Sequence, residues 1–245
     1  MCSGIGKMLD MVEVRMLRRT FFAGIGAAAM LRDGPRKAAD AADAQIVLEL
    51  FTSQGCSSCP PADALLGELV RLPNVVALAW HVDYWNGLGW RDRYASPQFT
   101  RRQRDYPKAL REEVYTPALV INGSLMVVGS DRAVVRAAMR QAPQTQVAVP
   151  LERNGDRLMA DFAAVPPAAS LLLVFYDLEV STQVGGGENT GRHLREFQVV
   201  RQAAPLVAGQ AGVRVLSPRI PAGQGAALLV QDPAGRIIGA AALAA

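Results

Sequence analysis

Cys56 and Cys59, separated by Ser57-Ser58, follow the apolar run Ile46–Phe51 and precede Pro60-Pro61 and a helical stretch. A dithiol at a strand-to-helix handover points to redox chemistry. Two sulfurs so spaced close into a small ring, and backbone N–H groups at a helix start stabilise the thiolate, the reacting species. Two other uses of the pair stand beside this one. A structural disulfide across so short a loop restricts the unfolded chain little, so it would be a weak staple. Structural zinc normally takes four Cys/His ligands, and the sequence offers no second cysteine pair and only His81 and His193.

The elements that must position these sulfurs are legible in the pattern of apolar residues. Ile46–Phe51 reads as a strand, Ala62–Val70 as a helix with Leu65, Leu66 and Leu69 on one face, and Val75–Val82 as a second strand. The turn Leu72-Pro73-Asn74 makes a parallel crossover the default. An aromatic, charged insertion from Asp83 to Ser96 leads to a polar helix from Pro97 to Arg111. Leu119–Ile121 and Leu125–Val128 flank Asn122-Gly123, a strong hairpin-turn signal, and Ser130 or Asp131 can cap a helix running to Gln141. Beyond it lie short apolar segments: Val147–Leu151, Leu158–Phe162, Leu171–Val180, Leu194–Val200, Val213–Leu216, Ala226–Gln231 and Arg236–Ala241. Strands at such intervals suggest a β-rich, sandwich-like unit.

This order, with Cys56-Ser57-Ser58-Cys59 after the first strand and Thr116-Pro117 before a later one, resembles the thioredoxin superfamily. The resemblance implies a cis bond before Pro117 and a Thr116 backbone placed beside the sulfurs, where an extended substrate chain aligns. It also implies Cys56 as nucleophile, the more exposed sulfur and the closer to the helix N-terminus, and Cys59 as resolving thiol. Glu49, seven residues before Cys56, is the candidate buried acid that would exchange a proton with Cys59; an exposed strand position is the equal alternative. The segments Glu49–Asp63, His81–Trp85 and Gly87–Trp90, with Gly187–Arg192, are similar to a family of exported bacterial proteins catalogued as a domain of unknown function. That likeness implies a thioredoxin-like fold and export, and brings no reaction.

Other residues carry two readings each. His81 and Asp83 share a strand face by period two, so His81 either relays protons, joins Cys56 and Cys59 around copper or another soft metal, or is a satisfied core histidine. Trp85 and Trp90, with Tyr84, either line a peptide groove together with Thr116 or pack over the sheet. Arg101, Arg102 and Arg104 read as a solvated helix face. Glu188, Asn189 and Arg192 lie in a glycine-rich connection, either a recognition loop or a hairpin satisfying its own backbone. If Cys56 caps the helix, Pro61 falls too deep within it and distorts its start.

The 245 residues carry a formal charge of +4, and residues 1–44 hold seven of the basic and five of the acidic side chains. The nearly neutral remainder has no basic face for a phosphate backbone, which argues against nucleic acid. Arg18-Arg19 before Thr20-Phe21-Phe22 and an Ala/Gly-rich apolar stretch resemble a twin-arginine export signal. The apolar part, about ten residues, is too short for a membrane span of roughly 20, so no anchor is expected once a signal is removed. The expectation is an α/β protein: a leader over 1–44, a thioredoxin-like domain over 45–144 and a β-rich domain over 145–245. It is expected to be exported, periplasmic or secreted, to act on protein or peptide thiols and disulfides, and to need no organic cofactor. Copper or soft-metal delivery through Cys56, Cys59 and His81 is one alternative, and a non-catalytic exported binding module is the other.

Overall fold

The computed structural model describes residues 45–155, 157–206, 213–216 and 219–244. The expected twin-arginine export signal and the leader over 1–44 lie outside the described residues. β1 (Ile46–Thr52), α1 (Pro60–Leu69), β2 (Val75–His81), α2 (Pro97–Leu110), β3 (Ala118–Ile121), β4 (Leu125–Val128) and α3 (Arg132–Gln141) follow the order read from the sequence. Then come β5 (Leu151–Asn154), β6 (Arg157–Asp161), β7 (Ser170–Gln183), β8 (His193–Leu206), β9 (Val213–Leu216), β10 (Gln224–Gln231) and β11 (Ile237–Leu243).

Eight strands make one mixed sheet in the order β11-β10-β7-β8-β2-β1-β3-β4, and β5, β6 and β9 make a small antiparallel one. β1 is parallel to β2, as the crossover predicts, while β3 and β4 join antiparallel through the Asn122-Gly123 turn. Alternation of side chains then sorts the core onto two faces. Leu48 and Leu50 pack with Leu65, Leu66 and Leu69 of α1 and with Val135 and Met139 of α3. Val47 and Phe51 pack on the opposite face with Trp80, and with Phe99 and Tyr106 of α2. A third cluster lies between the small sheet and β7 and β10, around Leu158, Phe162, Leu173 and Phe175.

The expected boundary near residue 145 does not separate two bodies. β8 lies beside β2 in the main sheet, with Ala79 opposite Val199, and the described residues belong to one compact unit. The physical reason is the edge of β2: left bare, it would present unpaired backbone groups. A second tie is Phe197 of β8, whose ring packs on Gly67 so closely that a Cβ there would sit 2.3 Å from it. Among the described residues, only the strands β5, β6 and β9 stand apart from the main sheet.

Candidate functional site

The sulfurs sit where β1 hands over to α1, as the sequence implies. Cys56 and Cys59 form a disulfide with a Cα–Cα distance of 5.4 Å. The helix begins later than a Cys56 cap would require: Cys59 is the N-cap, and its carbonyl accepts from the N–H groups of Ala62 and Asp63. Pro60 and Pro61 therefore occupy the first two helical positions, where a missing N–H is harmless. The same start corrects the expected anion site. Neither proline offers an N–H, and the N–H of Cys59 is bound to the carbonyl of Cys56.

The Thr116–Pro117 bond is cis, and the Thr116 carbonyl lies 3.9 Å from Cys56 Sγ. These two elements, sixty residues apart in sequence, are thus brought together. The expected exposure of Cys56 is overturned, because both sulfurs have 0% of their residue surface accessible. Trp85 supplies one wall of this enclosure. Its Nε1 donates to Thr116 Oγ1 at 2.9 Å, and its Cβ would be 3.1 Å from a side chain at Gly55. The Trp90 Nε1 donates to Gln54 Oε1 at 3.1 Å. Both tryptophans that could line a peptide groove thus spend their indole N–H within the protein.

The other wall is the connection between β7 and β8. Asn189, fully buried, donates through Nδ2 to the carbonyls of Gln54 and Cys56, each at 2.9 Å. The Glu188 carboxylate accepts from the Ser57 N–H at 2.9 Å, and hydrogen bonding to the Ser57 side chain and N–H holds its pKa below the ordinary glutamate value. The glycine-rich segment is therefore a strap docked on the Cys56–Cys59 loop.

Behind α1 lies a buried polar cluster. His81 Nδ1 faces Asp92 Oδ2 at 2.7 Å, and Nε2 is 3.8 Å from Glu196 Oε1. Gln54 joins the same group, its N–H donating to Asp92 and its Nε2 to Glu196 and Thr182. Burial opposes charge on His81, but Asp92 and Glu196 outweigh it and push its pKa up to about 9, so the ring is a cation at neutral pH. Asp63, on the turn of α1 after Cys59, is pushed up to about 7 by burial and by Glu196, with His81 opposing. Glu196 is raised by burial, whereas Asp92, despite burial, is held low by His81. Pattern could have found Asp63, which shares the buried helix face with Leu66. Asp92 lies in a loop and Glu196 on a distant strand, and neither carries such a signal.

Four sequence expectations fail here for stated reasons. Glu49 is buried but faces α2, because alternation puts it with Val47 and Phe51; it is away from α1 and is no partner for Cys59. Arg102 is not on a solvated face: its Nε and Nη2 donate to the Glu49 carboxylate at 2.6 and 3.0 Å, while Arg101 and Arg104 remain exposed. β2 ends at His81, so Asp83 leaves the strand period and accepts instead from Thr100 Oγ1 on α2. The soft-metal set Cys56, Cys59 and His81 is not assembled, since both imidazole nitrogens face carboxylates. Among the described residues no group of three or more His, Cys, Asp or Glu could hold a metal ion.

Fold and site together define an α/β protein with a mixed eight-stranded sheet and an enclosed disulfide at the first strand-to-helix junction. The chain belongs to the family described as protein of unknown function (DUF1223), which matches residues 47–231. It is similar to the crystal structure of protein AGR_C_4864 from Agrobacterium tumefaciens, with 32% identity and a TM-score of 0.66 over 82% of this chain and 94% of that one. HBP35 of Porphyromonas gingivalis shares the fold at 14% identity, with a TM-score of 0.54 over 82% of this chain and 75% of that one. No curated protein matches the chain.

Proposed function

We propose that this protein is an exported thiol–disulfide oxidoreductase with a thioredoxin-like core, acting on protein or peptide thiols through Cys56 and Cys59. The observation that carries the reading is the Thr116 carbonyl, 3.9 Å from Cys56 Sγ. It sets a backbone edge beside the sulfur at which an incoming chain would align. The strand order β2-β1-β3-β4, with α1 and α3 on one face and α2 on the other, supports the thioredoxin-like reading. In the reaction, a partner thiolate attacks Cys56 Sγ and Cys59 leaves as thiolate; a second partner thiolate then releases Cys56, so two electrons pass to the pair. The reverse flow oxidises a partner dithiol by the same steps run backwards. Export is part of the proposal, and among the described residues no helix is long and apolar enough to cross a membrane.

One observation favours a second reading, a binding module whose disulfide only clips the start of α1: neither sulfur is accessible. Expression of Cys59→Ala in an exporting host separates the two. The oxidoreductase accumulates partners disulfide-linked to Cys56, and the wild type comes to a measurable equilibrium with glutathione. The binding module yields no adduct and no such equilibrium.

A further inference from the structure

We infer that the strap Val184–Arg192 is a lid that holds the Cys56–Cys59 disulfide latent until it is displaced. This inference rests on the redox reading of the same site and adds its regulation. Three polar contacts fasten the strap: Asn189 Nδ2 to the carbonyls of Gln54 and Cys56, and Glu188 to the Ser57 N–H. All three land on the loop that carries the sulfurs. Docking thus fixes the strap on the loop whose two sulfurs are inaccessible and places a carboxylate at a residue between them, which disfavours a second negative charge such as a thiolate. The Asn189 Oδ1 is buried without a partner, so the closed state carries a desolvation cost that release removes.

The strap is built to move as one piece. Its base is closed by two backbone bonds between Val184 and the Gly191–Arg192 pair, each 2.9 Å. Asn189 lies between Gly187 at φ 70° and Gly191 at φ 80°, backbone conformations that glycine adopts without strain. Its outer side runs against the Leu88–Trp90 loop, where a Cβ on Gly186 would fall 2.3 Å from the Gly89 carbonyl oxygen. Only a side chain as small as glycine's lets the strap lie flat in that slot. Trp85, in the connection between β2 and α2, is bound to Thr116 and is no part of the strap.

The test is the rate at which dithiothreitol reduces the disulfide in the full mature chain. One dithiothreitol thiolate attacks Cys56 Sγ and Cys59 leaves and takes a proton. The second thiol then displaces Cys56 and the reagent leaves as its cyclic disulfide, so each sulfur gains one electron and one proton. Asn189→Asp keeps the side-chain shape but turns two donors into an acceptor facing two carbonyls. Its expected reduction rate is at least tenfold above wild type, with Glu188→Gln giving a smaller rise. Hydrogen exchange should increase over residues 184–192 while the sheet amides stay protected. Gly67→Ala, which touches none of the strap's three contacts and whose loss of stability is measured alongside that of Asn189→Asp, controls for loosening. Equal rates in wild type and Asn189→Asp, or an acceleration no greater than in the control, overturn the lid. If the lid holds but Cys59→Ala/Asn189→Asp captures no partner in the exporting host, the lid stands and the oxidoreductase reading falls.

Discussion

The Gln54 Nε2 donates to the Glu196 carboxylate at 2.7 Å, although 142 positions separate the two in sequence. Gln54 lies on the loop that carries the disulfide and Glu196 lies on β8, so this bond ties that loop to the second half of the chain. The same carboxylate faces His81, and through it the loop is coupled to a cluster of buried ionisable groups.

That cluster gives stability a defined pH dependence. Native Asp63 keeps a proton up to about pH 7, whereas its unfolded carboxyl loses it near 3.8, so stability falls as pH rises between these values. His81 titrates at about 9 in the native state against 6.5 unfolded, so its contribution is complete below 6.5 and is lost as pH rises through 9. Urea midpoints measured from pH 5 to pH 9 should therefore decline throughout. Asp63→Asn should flatten the lower part of this profile and leave the decline above pH 7 in place. A midpoint that rises from pH 5 to pH 8 would refute the assignment.

Buried Glu49 pairs with the mostly covered Arg102, and the two are joined by the Tyr106 hydroxyl, which donates to Glu49, and by Gln231. Removing one member leaves an uncompensated charge, so Arg102→Ala should destabilise the fold by about 3–5 kcal/mol. Denaturant unfolding measures this. Because the pair lies across the sheet from α1, Arg102→Ala and Glu49→Gln should leave the glutathione equilibrium of the disulfide unchanged. A shift with Glu49→Gln would couple Glu49 to the disulfide after all.

Gly67→Ala sets helix propensity against packing. Alanine gains about 1 kcal/mol in a helix interior, but its Cβ would meet the Phe197 ring 2.3 Å away. Overpacking of this kind costs about 1–3 kcal/mol, and the obstacle is a ring held between α1 and β8. Net destabilisation is expected in urea unfolding. The double variant Gly67→Ala/Phe197→Leu should recover part of the loss, and its failure to do so would place the strain elsewhere.

Asn122 does more than turn the hairpin. Its Oδ1 accepts from the Val47 N–H at 2.6 Å and its Nδ2 donates to the Pro143 carbonyl at 2.7 Å, with the residue 2% exposed. Asn122→Ala leaves both groups without a partner and should cost about 1–3 kcal/mol for each one left buried. Hydrogen exchange at Val47 should rise together with the loss of stability. An unchanged exchange rate there would show that the bond does not protect that amide.

Local pattern carried most of the elements and the position of the disulfide. Cys56-Ser57-Ser58-Cys59, the parallel pair of strands around the first helix and the Asn122-Gly123 hairpin all rest on neighbours in sequence, which is why periodicity and turn chemistry reveal them. The orientation of Glu49 was open, because a strand has two faces and alternation alone does not say which faces α1. Tertiary structure settled that question against the redox role. It also closed the disulfide: the strap is remote in sequence, and nothing near Cys56 announces that Asn189 will reach its carbonyl. Neighbouring residues determined where the sulfurs stand, whereas the backbone edge beside them is a contact sixty positions away that only the folded chain makes. Whether they meet solvent was decided by long-range packing, because burial depends on which distant segments come to rest on a surface and not on the residues that form it.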